Sequence, residues 1–162
     1  MFQGIKKLFG GKKEEGQILA PVAGQAVPLS EVPDPAFAQE ILGKGVAILP
    51  SENEFKAPAS GEVTVLFETG HAVSIRTESG ADVIVHIGLD TVNLKGQFFI
   101  THVKQGDTVK AGDLLITADI EQIKAAGYDV ITPVIVCNFS DFPDIACHPG
   151  KTVKAMDEII TL

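Results

Sequence analysis

The chain has no tryptophan, one tyrosine and two cysteines in 162 residues. Two thiols, Cys137 and Cys147, make no disulfide framework, and a reducing cytosol is their simplest setting. Cys137 ends an apolar run and reads as core, while Cys147 sits near a turn. No apolar run approaches the ~20 residues of a membrane-spanning helix. The first residues show no apolar stretch with a small-residue cleavage site, so no secretory leader is expected. Positive charge is scarce, with 13 Lys and Arg against 21 Asp and Glu. The net charge of −8 and pI near 4.9 argue against nucleic acid as the main partner. HxH, HExxH and Cys-x-x-Cys patterns are missing, which removes the common local frameworks for a protein-held metal.

Hydrophobic residues make up 45% and charged residues 21%, a globular balance in a chain of single-domain length. Residues 1–13 hold four lysines and no acid, so the rest of the chain carries −12. Within this segment Phe2, Ile5, Leu8 and Phe9 follow a loose helical spacing that Gly10-Gly11 interrupts. The division expected is a basic amphipathic tail over 1–15 and one domain over 16–162. A nine-residue helix is marginal alone in water, but an anionic membrane surface would favour it. Weak, reversible membrane contact through residues 1–13 is the expectation, with a frayed terminus as the alternative.

From Gly16 onward glycine and proline punctuate short apolar runs. The pattern predicts strands at Gln17–Ala20, Gly24–Pro28, Gly45–Leu49, Gly61–Leu66, Ala72–Thr77, Asp82–Ile87, Phe98–Thr101, Leu114–Asp119 and Thr132–Cys137. Short helices are predicted over Pro35–Ile41 and Asp119–Ala126. Two sequence repeats stand out. Ala20-Pro21-Val22-Ala23-Gly24 resembles Ala57-Pro58-Ala59-Ser60-Gly61, and Gly106–Asp113 resembles Gly150–Asp157. The fold class expected is all-β: an antiparallel sandwich or barrel with a duplicated β motif and a few short helices.

Of the four histidines, His71 and His86 lie on strands that a turn at Glu78-Ser79-Gly80 would join. A hairpin centred between Glu78 and Ser79 places them opposite each other, with Cβ atoms about 4.5–5.5 Å apart. Two adjacent imidazoles permit nucleophilic chemistry by one ring with a hydrogen bond from the other. They also permit a metal pair, or two ordinary strand histidines. His102 and His148 read as structural.

The segment Ala81-Asp82-Val83-Ile84-Val85-His86-Ile87-Gly88-Leu89-Asp90-Thr91-Val92-Asn93-Leu94-Lys95-Gly96 resembles a signature of the form (L/I)xVHxGxDTVxLxG. It belongs to the glucose-type IIA proteins of the bacterial phosphoenolpyruvate-dependent phosphotransferase system. Similar blocks occur at Val32–Ala38, Gly43–Pro50, Pro58–Gly61, Glu68–Ala72 and Ile131–Asn138. The resemblance runs from about Gln17 to Leu162, and that family's duplicated antiparallel sandwich agrees with the repeats.

The resemblance implies a role for each matching residue. His86 would accept phosphate from the histidine-containing phosphocarrier protein and pass it to a sugar-specific IIB domain. His71 would hydrogen-bond the phosphoryl group, and Thr69 would orient His71. Asp34 and Asp90 would meet basic groups on the carrier. Phe37, Ile41, Leu42, Phe67, Ile84 and Val92 would form an apolar docking rim. Gly88 reads as a place where a partner must approach closely. No cofactor is required, and His71 and His86 would bind zinc only with a ligand supplied by a partner. A cytoplasmic phosphotransferase is therefore expected, with peripheral contact at the inner face of the membrane. One rival is a regulatory module whose unphosphorylated face controls metabolic enzymes or transporters. The other, a zinc hydrolase, lacks its third and fourth ligands.

Overall fold

The computed structural model describes residues 16–162. The amphipathic segment expected over residues 1–13 lies outside the described residues. In chain order the strands are β1 (Gln17–Leu19), β2 (Gly24–Pro28), β3 (Lys44–Pro50), β4 (Glu54–Lys56), β5 (Gly61–Leu66), β6 (Ala72–Thr77), β7 (Asp82–His86), β8 (Phe99–Thr101), β9 (Thr108–Val109), β10 (Leu114–Ala118), β11 (Thr132–Val136), β12 (Ala146–Cys147), β13 (Lys151–Val153) and β14 (Glu158–Thr161). Helix α1 spans Pro35–Ala38 and α2 spans Ile120–Ala125. The large sheet has the order β13-β2-β3-β11-β7-β6-β5-β9, and two three-stranded sheets run β1-β14-β12 and β4-β10-β8. Neighbouring strands are antiparallel throughout. The all-β reading holds. The strands it omits, β4, β9, β12, β13 and β14, have two to four residues each and too little length for an alternating pattern.

The duplication is written in backbone hydrogen bonds. Leu19 N–H donates to Pro58 O, and Lys56 N–H donates to Pro21 O, both at 2.8 Å. Each bond is the image of the other under the sequence repeat. Ala20 N–H to Asp157 O corresponds to Ala57 N–H to Asp113 O, both at 2.7 Å. Likewise Gly150 N–H to Ala26 O at 2.8 Å corresponds to Gly106 N–H to Val63 O at 2.7 Å. In each copy an aspartate closes the turn, with Lys110 N–H donating to Asp113 Oδ2 at 2.9 Å and Lys154 N–H to Asp157 Oδ2 at 2.8 Å. Such side-chain-to-backbone bonds are why Asp recurs in turns.

The central core is Ile, Val and Ala from the inward faces of the three sheets, with Phe55 among the largest fully buried side chains. A second, smaller cluster joins Val27, Leu29, Val32, Phe37, Ala47, Leu89, Ile131 and Ile135. It seats α1 against the sheet beside the end of β7. Asp34 starts α1, its carboxylate accepting from Ala36 N–H at 3.0 Å, and Pro35 takes the first turn. The helix ends at Ala38, short of the expected Ile41, because Glu40 takes a left-handed backbone with φ 59°. That turn leaves Ile41 and Leu42 facing solvent.

The hairpin register differs from the expectation by one residue. Ala72, not His71, pairs with His86, and Ser74 pairs with Ile84. The loop is three residues long and centred on Ser79, with Gly80 at φ 89° and Gly80 N–H donating to Thr77 O. A left-handed third residue is the usual solution for a loop of this length. Opposite His71 stands Ile87, whose N–H donates to His71 O at 2.7 Å.

Candidate functional site

His71 and His86 nevertheless meet. Their ring centroids are 5.2 Å apart and the planes lie at 83°, an edge-to-face contact. Strict alternation would send His71 to the far side of the sheet, because its neighbour Ala72 is the residue opposite His86. The pleat, however, begins only at Ala72. Before it a turn is closed by Gly70 N–H to Phe67 O at 2.8 Å, with Gly70 at φ 74°. A Cβ on Gly70 would lie 3.1 Å from Phe99 Cβ and 3.2 Å from Thr101 Cγ2. The turn is thus pressed against β8, and it delivers the His71 ring to the side of His86.

Both rings are tethered through Nδ1. His86 Nδ1 lies 2.7 Å from Gly88 O, and His71 Nδ1 lies 2.5 Å from Thr69 Oγ1. A carbonyl only accepts, so neutral His86 carries its proton on Nδ1 and exposes a lone pair on Nε2. A hydroxyl donates or accepts, so Thr69 admits either tautomer of His71. When Thr69 donates, His71 presents an Nε2–H donor. The pair therefore offers one ring whose Nε2 lone pair is fixed and one ring that can donate or accept at Nε2.

Burial favours the neutral form of both rings. His71 is 4% exposed, and its pKa is pushed down to about 4 by burial first and by His86 second. Burial also lowers His86, against the opposing pull of the Gly88 carbonyl and of the Asp34 and Asp90 carboxylates. Asp34 reaches His86 from the start of α1, and Asp90 from a left-handed residue at φ 60° four positions beyond His86.

The expected apolar rim divides. Ile41 is 67% exposed, while Leu42, Phe67 and Val92 are each 47% exposed. Phe67 also packs edge-on to His71, with centroids 5.0 Å apart. Phe37 does not present an open surface: it is 5% exposed and lies against His86 with centroids 5.3 Å apart. It belongs to the small cluster under α1 and walls the histidine from below. Ile84, two residues before His86 on β7, is half-buried against the same cluster.

Gly88 needs a different reason from the one expected. It is buried, has φ 77°, and a Cβ there would meet Thr91 Cγ2 at 2.7 Å and Asp129 O at 2.8 Å. The missing side chain makes room for the protein's own loop rather than for a partner. Thr91 and Asp129 were not legible as site residues. Thr91 stands within the signature, but only the folded loop shows its hydroxyl donating to Ile87 O at 2.6 Å. Asp129 is distant in sequence and meets Gly88 and Leu89 through its backbone carbonyl, while its carboxylate accepts from Ile131 N–H at 2.9 Å.

The other candidates are structural. His102 Nε2 lies 2.8 Å from Thr117 Oγ1, and His148 Nε2 lies 2.7 Å from Thr161 Oγ1. His102 N–H donates to Leu115 O, and His148 N–H to Ile159 O. The two are counterparts in the duplication. Both cysteine thiols are pushed up by burial first, which leaves them poor thiolates. Among the described residues, no group of three His, Cys, Asp or Glu side chains could hold a metal ion, and no helix is long and apolar enough to cross a membrane.

Comparison with known proteins points the same way. Residues 16–142 match the family model described as phosphoenolpyruvate-dependent sugar phosphotransferase system, EIIA 1. The glucose-specific EIIA component of Oceanobacillus iheyensis is 43% identical over 145 residues, covering 90% of this chain and 88% of that protein. The beta-glucoside-specific EIIBCA component of Bacillus subtilis is 52% identical over 125 residues, covering 77% of this chain. This chain spans only 20% of that longer protein. Among solved structures, glucose permease IIA from Mycoplasma capricolum superposes with a TM-score of 0.82 at 38% identity, covering 89% of this chain and 93% of that one.

Proposed function

Because the chain belongs to the EIIA 1 family of the phosphoenolpyruvate-dependent sugar phosphotransferase system, we propose that it is a phosphotransferase that carries a phosphoryl group on His86. The donor is the histidine-containing phosphocarrier protein, and the acceptor is a IIB domain of a sugar permease. The IIB assignment draws support from relatives named EIIBCA components, in which the matching segment is part of a longer chain. The observation that carries the proposal is the tether of His86 Nδ1 to Gly88 O at 2.7 Å. It commits the Nε2 lone pair to attack.

In the first transfer the His86 Nε2–phosphorus bond forms as the carrier's nitrogen–phosphorus bond breaks. The electron pair of that bond stays with the carrier's imidazole. In the second transfer the His86 bond breaks toward the IIB nucleophile, and the Nε2 pair is regained. Phosphoryl transfer needs little covalent help, so positioning and charge stabilisation do most of the work. His71 supplies an Nε2–H to the equatorial oxygens while Thr69 donates to its Nδ1. Asp34 and Asp90 leave the mouth of the site acidic, suited to a carrier face with basic groups. Ile41, Leu42, Phe67 and Val92 give both partners an apolar surface, with Phe37 and Ile84 supporting it from beneath. The free Nε2 atoms of His71 and His86 could furnish two of the four ligands of a zinc, the rest coming from a partner protein. The reaction is placed in the cytoplasm, where these partners would work.

The test is incubation with phosphoenolpyruvate, the first general enzyme of the system and the phosphocarrier, followed by mass spectrometry. One acid-labile phosphate is expected on the full chain and none on His86→Ala. Labelling that persists in His86→Ala, or that maps to His102 or His148, would overturn the assignment.

A further inference from the structure

We propose that Thr91 is a positioning residue for His86: its side chain fixes the Gly88–Leu89 peptide unit, and that unit sets the tautomer and tilt of the ring. The proposal rests on the phosphotransfer reading only for its consequence on rate.

A trans peptide points its C=O and N–H in opposite directions from one rigid plane. The plane between Gly88 and Leu89 uses both ends. Its carbonyl accepts from His86 Nδ1 at 2.7 Å, and its N–H donates to Asp129 O at 2.9 Å. Rotation of this one plane would break both bonds together and release the ring. A left-handed glycine before the plane gives it little intrinsic resistance to turning, since glycine populates many backbone states.

Resistance comes from Thr91. The residue is fully buried. Its Oγ1 donates to Ile87 O at 2.6 Å, one peptide ahead of the plane. Its Cγ2 occupies the space beside Gly88 where a Cβ would stand, with Asp129 O on the same flank. Gly88 is thereby gripped, and Ile87 is held at both ends, because its N–H also donates to His71 O at 2.7 Å. The same loop thus ties the backbones of the two histidines to one another. Serine would keep the hydroxyl, and valine would keep the shape while leaving Ile87 O without its buried donor.

The experiment measures ring tautomers by long-range proton–nitrogen NMR on the uniformly labelled full chain near pH 7.5. It compares the wild type with Thr91→Val, Thr91→Ala and Thr91→Ser, and records phosphate acceptance and melting temperature for each. The wild type is expected to show His86 protonated on Nδ1 alone. Thr91→Val and Thr91→Ala should each show a mixture of tautomers and accept phosphate about tenfold more slowly or worse. Thr91→Ser should restore the single tautomer and most of the rate. The two hydroxyl-free variants differ in bulk, so either one suffices if the other does not fold. A wild-type His86 pattern in a folded hydroxyl-free variant, with only its melting temperature lowered, would overturn the proposal. The tautomer is read without any partner protein, so this failure is distinct from a failure of phosphotransfer.

Discussion

His86 leans its Nδ1 on a carbonyl and His71 leans its Nδ1 on a hydroxyl, and this difference separates two rings that otherwise look alike. Only His86 is forced to keep a lone pair on Nε2 while neutral. His71→Gln retains an N–H donor but loses the ring. We expect this variant to accept phosphate at a rate within several-fold of wild type, yet to pass it to a IIB domain about a hundredfold more slowly. Single-turnover measurement of the two half-reactions separates the steps. Normal onward transfer would reduce His71 to a structural role.

Acid should destabilise the fold through the same pair. The His71 pKa falls from 6.5 to about 4 on folding, so between those values the unfolded chain holds the extra proton. Stability then rises with pH across that window and drops as pH falls from about 6.5 toward 4, at up to about 1.4 kcal/mol per pH unit. His86 is lowered as well and acts in the same direction. Urea melts at pH 7 and pH 5 should show this loss, and His71→Gln should flatten it. An unchanged slope in the variant would place the acid sensitivity elsewhere.

Part of the site lay open in the sequence because Ile84, His86, Gly88, Asp90 and Val92 fall within one signature segment, while Thr69 and His71 come from the turn before β6. His71, Thr69 and His86 converge as expected. The hairpin register differs by one residue from the one the sequence predicts, because whether a turn holds two or three residues depends on the φ of Gly80, which composition does not reveal. Phe37 and Ile41 are alike in hydropathy, and only the left-handed turn at Glu40 buries one and exposes the other. The second repeat was visible as Gly150–Asp157, yet the strands beside it are too short to have a period.

The duplication makes its own prediction. His102 and His148 make the same bond to a threonine hydroxyl from equivalent places. Replacing either by alanine should cost about 0.5–1.5 kcal/mol, the ordinary worth of a hydrogen bond. Neither change should alter phosphate acceptance. A transfer defect in His102→Ala or His148→Ala, with stability intact, would show that a second histidine has a part in the reaction.

The exposed apolar residues of the expected docking rim should matter to partners and hardly at all to the fold. Ile41 and Val92 are 67% and 47% exposed. Serine at either place should change stability by no more than about 0.5 kcal/mol. If these side chains anchor the phosphocarrier, the KM for the phosphorylated carrier should rise by about tenfold, since truncating a central contact costs more than about 1 kcal/mol. The rate at saturating carrier should hold, because the reacting rings are undisturbed. Phe67→Ser is the informative contrast: Phe67 also packs on His71, so its loss should lower the saturated rate as well as raise KM. Steady-state transfer at varied carrier concentration reads both quantities. An unchanged KM in both Ile41→Ser and Val92→Ser would mean that the carrier docks elsewhere on the acidic surface.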